Sequence, residues 1–267
     1  MVSTRVALAG FWADIAAKVP PAPLAELALA PLVELARHFS PALLNPLDIN
    51  PLRDVIAARI DFERLRAACP LRLFVAATHA SSGRLRVFRT QELGVDVLAA
   101  SCCLPSLQRP VEIDGEAYWD GAFAANPAVF PLVYECAAAD VMLVLLSPLE
   151  HGPGPRSAAE IRERIAQIAF DANFLREMAS LARLRAFAGA SWFALGRLER
   201  RLRRLRFHLI TAEGLLSEFG PESRLLARAS LLEQLRDRGR AHADRWLECH
   251  RAQLGRVATV DIAAMFG

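Results

Sequence analysis

The stretch ADVMLVLLSP, residues 139–148, constrains the fold more than any other part of the chain. Its apolar residues run without a break from Val141 to Leu146, between Asp140 and Pro148. The run is too short to cross a bilayer, which takes about 20 residues as a helix. It also lacks the alternation of a half-exposed strand. A strand covered on both faces is therefore expected, as in parallel sheets sandwiched between helices. Patterns on either side agree. LRLFVAATHASSGRLRVFR (71–89) reads as a strand, a Ser-Ser-Gly turn and an alternating strand. VDVLAASCCLP (95–105) reads as a buried helix ended by Pro105, and VEIDGEAYW (111–119) as a hairpin around Asp114-Gly115. A helix is expected from Ser157 to Phe187, opened by a Ser157/Glu160 capping box. RLRRLRFHLI turns into a strand near Phe207, and two helices follow, around 221–237 and 240–254. Strands interleaved with helices indicate an α/β protein.

Residues 5–19 have helical spacing, with Val6, Ala9, Ala13 and Ala16 on one face, and VPPAP ends that helix. Residues 20–50 are Pro-rich yet too apolar for a linker, and suit a lid or cap packed on a core. The longest charge-free run, Gly121 to Tyr134, has 14 residues and two prolines, so no membrane-spanning helix is expected. The N-terminus makes a poor signal peptide. Five cysteines without C-x-x-C spacing argue against a disulfide framework or a zinc site, and adjacent Cys102 and Cys103 suit small buried positions. These features describe a reduced, cytoplasmic protein. The net charge of +3 is unevenly spread, with the arginines concentrated in the second half; near-exclusive use of Arg over Lys fits a GC-rich genome.

EIDGEAYWDGAFAANP (112–127) holds the candidate for chemistry. The hairpin delivers Asp120 to a strand end, Gly121 frees the backbone to turn, and Asn126-Pro127 starts a new segment. A carboxylate there is a plausible general base, its pKa raised by burial and lowered by backbone N–H groups. The structural alternative is that Asp120 caps the turn before Phe123.

LFVAATHASSGRLRVFR, VLAASCCLPSL and VEIDGEAYWDGAFAANPAVFPLVYE, in this order, resemble the C-terminal half of the catalytic domain of bacterial patatin-like phospholipases. RFHLI and LRDRGRAHADRWLECH resemble that family's tail. The resemblance implies an α/β fold with a central mixed or parallel sheet flanked by helices. It divides the chain into the C-terminal portion of the catalytic domain (1–155) and a helical extension packed on it (156–267). The family's D-G-[GA] motif falls on Asp120, Gly121 and Ala122. By resemblance Asp120 is the base of a Ser–Asp dyad that cleaves lipid acyl esters without a cofactor or metal.

The other half of that dyad is missing. The family's serine lies in G-x-S-x-G, a sharp strand-to-helix turn that exposes the hydroxyl. No two of the 14 glycines are four positions apart, so the motif cannot occur. GASWF, with Ser191, lacks the second glycine; Ser81, Ser82, Ser101 and Ser106 do not follow a strand and open a helix. His79, His151, His208 and His250 are scattered and suggest no triad, and no metal-binding spacing such as HExxH occurs. RVALAGFWADIAAKVP resembles the family's segment after the nucleophile helix, so the chain is expected to begin just past the serine and the oxyanion loop. It would then be inactive as written. Without central strands it would expose apolar faces and open edges, and be marginally stable or sticky.

Two other readings stand beside this one. A non-catalytic relative would bind lipid or a protein partner. RLERRLRRLR (197–206), six Arg against one Glu, could instead lie on anionic headgroups through Arg200, Arg201, Arg203 and Arg204. Each Arg near such a surface is worth about 1 kcal/mol, and the opposing reading is a solvated helix face. Nucleic acid is not expected, because no aromatic platforms interleave with the arginines.

Overall fold

A computed structural model of the chain describes residues 4–19, 31, 35–36, 38–149, 152, 154–190, 196–212 and 227–267. The chain divides into two compact units. The first comprises Met1–Ala124 with Phe219–Arg236, and the second Ala125–Glu218 with Asp237–Gly267. The protein is α/β: a four-stranded antiparallel sheet in the first unit, and a parallel pair of strands flanked by helices in the second.

In the first unit the sheet runs β2-β1-β4-β3, from β1 (Phe74–His79), β2 (Leu85–Arg89), β3 (Val111–Ile113) and β4 (Glu116–Asp120). The β3–β4 turn is the expected one, with Asp114 and Gly115 both at positive φ, 54° and 81°. That twist matches the flanking strands. β4 pairs with β1 at Ala77↔Asp120 and Thr78↔Trp119, which puts the end of the hairpin beside the centre of the sheet. Helices α1 (Thr4–Lys18), α2 (Pro41–Leu44), α3 (Pro51–Arg59) and α4 (Phe62–Ala68) precede it, and α5 (Val95–Ala100) lies between β2 and β3. Asn50 and Asp61 cap α3 and α4 by accepting the N–H groups of Arg53 and Arg64. The core gathers Ile56, Phe62, Ala77, Phe88, Leu93, Val97, Ala100 and Tyr118. Full burial of a side chain the size of Phe88 or Leu93 contributes about 1.5–3 kcal/mol.

α1 forms where expected but does not use the expected face. Val6, Ala9 and Ala13 are exposed, while Phe11 packs on the core and Asp14 pairs with Arg59 of α3. A helix rich in small residues has no strong apolar face, so one aromatic ring and one ion pair set its rotation. Residues 20–30, 32–34 and 37 of the proposed lid lie outside the described residues.

In the second unit β5 (Asp140–Leu145) pairs in parallel with β6 (Arg206–Thr211). The crossover carries α7 (Ala158–Ala190) and α8 (Arg197–Arg204), and α6 (Phe130–Glu135) precedes β5. Ser157 and Glu160 exchange the reciprocal bonds of the expected capping box, both at 3.2 Å. Val141, Leu143 and Leu145 point into a core with Phe174, Met178, Leu181, Phe207 and Ile262. One helix, α9 (Ala229–His250), stands where the sequence suggested a break between 237 and 240. An internal glycine such as Gly239 costs only about 1 kcal/mol relative to alanine. α10 (Ile262–Phe266) closes the chain.

The expectation of a strand covered on both faces is not met. β5 alternates: Met142 and Val144 are 37% and 57% exposed, and Leu146 just beyond its end is 66% exposed. Among the described residues β5 is paired on one edge only. On α7, Ile161, Ile165 and Ile168 form a second exposed apolar stripe at helical spacing. Exposed apolar faces beside an open strand edge favour association. Replacing Val144 with Thr and Ile165 with Gln should lower self-association, read by light scattering across a concentration series. The melting temperature should change little, since exposed substitutions of this kind stay within about 0.5 kcal/mol.

Asp140 ties the start of both strands to the C-terminal segment. Its carboxylate accepts two bonds from Arg206 (2.9 and 2.8 Å), one from the Gly255 N–H (3.1 Å), and lies 2.9 Å from Nε2 of the fully buried His208. The His208 Nδ1 is 3.2 Å from Thr259 Oγ1. The Arg206 guanidinium, then His208 and the Gly255 N–H, hold the Asp140 carboxyl well below the usual carboxylate range. A carboxyl with a lower pKa folded than unfolded stabilises the fold above its unfolded value of about 3.9, and the contribution is lost as pH falls through the folded value. Asp140→Asn should therefore lower the melting temperature at pH 7. The gap to the native protein should narrow below about pH 4 in melts recorded against pH.

Candidate active site

Asp120 is held in place by its backbone before its side chain does anything. Its strand pairs with Ala77, its N–H donates to the Cys103 carbonyl at 2.9 Å, and its carbonyl accepts from the buried Thr78 Oγ1 at 2.7 Å. The side chain caps the single 3₁₀ turn Gly121–Phe123: Oδ1 accepts the Ala122 N–H at 2.9 Å. Oδ2 has no hydrogen-bond partner among the described residues. The residue is half-buried, and burial pushes its carboxyl pKa up, opposed by the Ala122 N–H. The capping geometry and the availability of a second oxygen thus coexist in one carboxylate.

Gly121 is required for a reason other than backbone freedom. Its φ is not in the left-handed region, but a Cβ there would meet the Ala76 carbonyl oxygen at 2.3 Å and carbon at 2.6 Å. The turn after Asp120 passes against the backbone of β1, and only glycine leaves room. Ala122 supplies the N–H that orients the carboxylate. The segment that follows is not capped from within: the Val129 and Phe130 N–H groups at the start of α6 donate to Glu177 of α7.

No hydroxyl or thiol among the described residues is hydrogen-bonded to the Asp120 carboxylate. Ser101 Oγ donates to the Leu98 carbonyl at 2.8 Å, and Ser191 lies outside the described residues. The neighbouring cysteines are not substitutes. Cys103 is buried and donates to the Arg109 carbonyl; burial, then the charge of Asp120, pushes its thiol up to about 11. Burial likewise raises Cys102, although its residue surface is exposed rather than buried as expected. Thiols so shifted stay protonated at neutral pH and are poor nucleophiles.

His79 is less isolated than its sequence position suggests. Its Nδ1 lies 2.7 Å from Ser82 Oγ and its Nε2 2.7 Å from Glu116. The order acid–His–Ser is present, but on an exposed turn. Two of the nearest N–H groups there are already engaged: the Ser82 N–H points back to His79 Nδ1 and the Gly83 N–H to the His79 carbonyl. The arrangement braces the β1–β2 turn. His208 belongs to the Asp140 network, and His250 lies 2.9 Å from Gln253. His151 lies outside the described residues.

The four arginines marked for membrane contact divide by role. Arg201 donates to the carbonyls of Leu132, Val133, Ala137 and Ala138, binding the end of α6 to α8. Arg203 donates twice to the Ala188 carbonyl near the end of α7. Arg200 and Arg204 make no such bonds and are exposed. Nothing in the sequence separates them, since the receiving carbonyls come from other elements.

A carboxylate at the end of a hairpin strand, backed by a glycine and bonded through one oxygen to the next turn, is the candidate acid–base group of this α/β protein. Residues 9–133 match the family model of the patatin-like phospholipases, a span that contains both hairpins and Asp120. That stretch, a little under half of the chain, is what is similar to the family, a family of lipid acyl hydrolases. No curated protein matches the chain. Among the described residues no helix is long and apolar enough to cross a membrane.

The close packing at Gly121 can be tested directly. Gly121→Ala should destabilise the first unit by about 1–3 kcal/mol, the usual range for overpacking, measured by urea denaturation.

Proposed function

We propose that the protein is a serine lipid acyl hydrolase in which Asp120 is the general base of a Ser–Asp dyad. The nucleophilic serine lies on sequence other than residues 1–267, and the chain by itself is inactive. The observation that supports this reading is the Asp120 carboxylate: one oxygen fixed by Ala122, the other open, in a chain where no serine has the G-x-S-x-G setting. The open edge and exposed apolar residues of β5 support it too, because parallel strands are normally covered on both faces.

In the reaction, the serine hydroxyl gives its proton to Asp120 Oδ2 as its oxygen attacks the ester carbonyl. The departing alcohol takes that proton, leaving an acyl-serine. Water then gives a proton to the same carboxylate and attacks the acyl carbon, and the serine leaves with the proton as the fatty acid is released. A carboxyl raised by burial is a better base than an ordinary one, since its proton affinity is closer to neutrality. The protein would act in the cytoplasm on acyl esters at a membrane surface.

A fluorophosphonate probe should label no serine in the 267-residue chain, and lysophospholipid should not be hydrolysed. A longer natural product carrying G-x-S-x-G should hydrolyse it, with Asp120→Asn lowering kcat about 10²–10⁴-fold. Its kcat/KM should fall with decreasing pH at a value above the ordinary 3.9 or so, because Asp120 must be ionised to act. A labelled, active serine within the chain would remove the external nucleophile, and a longer enzyme insensitive to Asp120→Asn would remove the base. Inactivity of every natural form would leave the non-catalytic reading, a lipid- or partner-binding protein.

A further inference from the structure

α8 carries its arginines on two sides, and the tertiary contacts use only some of them. At 100° per residue, Arg197, Arg200, Arg201 and Arg204 fall within an arc of about 100°, with Leu202 and Leu205 turned to the core. Arg201 is fixed by the four carbonyls at the end of α6 and Arg203, on another side of the helix, by Ala188. Arg197, Arg200 and Arg204 are exposed and have no carboxylate partner among the described residues. They border an open depression of about 740 Å³ whose other lining includes Tyr134, Leu198 and Val133, and no acidic residue. Tyr134 is 56% exposed and Leu198 38%.

We propose that this face binds the phosphate headgroups of anionic lipids, with Arg197, Arg200 and Arg204 as the phosphate ligands and Tyr134 and Leu198 as its apolar border. The chemistry is specific in two respects. Guanidinium groups pair with phosphate through two parallel N–H donors, and these three have no competing carboxylate to displace. Tyrosine beside arginine suits the boundary between headgroup and acyl chain, where one end of the side chain is wet and the other apolar. Arg201 contributes positive potential from a position the fold has already fixed, so no side-chain freedom is lost in presenting it. The set differs from the one the sequence suggests: Arg197 enters, and Arg201 and Arg203 leave, because the fold has committed them to carbonyls. The inference concerns binding alone and stands apart from the ester chemistry proposed above.

The full chain is tested by co-sedimentation with vesicles of phosphatidylcholine containing phosphatidylglycerol, against vesicles of phosphatidylcholine alone. Binding should require the anionic lipid and weaken with salt. Each arginine near the surface is worth about five-fold in partitioning, so Arg197→Gln, Arg200→Gln and Arg204→Gln together should cost about 100-fold. Arg240→Gln, Arg245→Gln and Arg256→Gln, which remove the same charge elsewhere in the second unit, should cost far less. Should the first triple variant misfold by circular dichroism, the corresponding Arg→Lys triple keeps the charge but loses the paired donors, and should bind more weakly than the native chain. Equal losses from both Gln triples would reduce the effect to net charge and overturn the site. Unchanged binding in the first triple would overturn it as well. Displacement from the vesicles by inorganic phosphate at matched ionic strength would show a site for free anions rather than a lipid surface.

Discussion

The turn after Asp120 runs against the backbone of β1, so close that a Cβ at Gly121 would overlap the Ala76 carbonyl. Much of the first unit's candidate site depends on that approach. It lets Asp120 pair with Ala77, puts its carbonyl within reach of Thr78, and sets the following turn so that the Ala122 N–H meets Oδ1. The carboxylate consequently has one oxygen committed and one available. Burial and a single N–H donor act in opposite directions on its proton affinity, and burial is the larger. In the proposed dyad, a fixed direction and a raised pKa are what a general base needs.

The second unit is organised around a carboxylate of the opposite kind. Asp140 is saturated with donors from Arg206, His208 and Gly255, and its pKa is depressed accordingly. A carboxylate that accepts this many bonds is a structural fastener rather than a base, because the donors that stabilise its charge remove its affinity for a proton. Glu177 has an intermediate position: its oxygen closes the start of α6, while burial raises its pKa. Three carboxylates on one chain thus differ in role through the donors around them.

The same logic separates the arginines of α8. Arg201 and Arg203 satisfy carbonyls at the ends of α6 and α7 that have no partner within their own helices, and their charge is secondary to that task. Arg197, Arg200 and Arg204 are left facing solvent beside Tyr134 and Leu198. Exposed Met142 and Val144 on β5, with Leu146 just after it, are an unmet demand of a different sort, apolar rather than ionic. Among the described residues the parallel sheet has two strands and one bare face, whereas such sheets are ordinarily buried on both sides.

Local rules were legible in the sequence wherever a few neighbouring residues decide the outcome. Asp114-Gly115 specified the hairpin through its positive φ angles, Ser157 and Glu160 the start of α7, the alternating residues around Val87 the strand β2, and the unbroken apolar run the existence of β5. The Asp120-Gly121-Ala122 motif was legible as a pattern, but the reason for its glycine is a contact with Ala76, 44 positions or more away from the residues of the motif. The tertiary structure alone decided which face of α1 packs, that Gly239 does not end α9, that β5 shows a bare side, and which arginines remain open. Each of these depends on partners distant along the chain. A local pattern sets what a segment can form, but the distant groups that bury it or accept its hydrogen bonds set which face, and which charge, is left over.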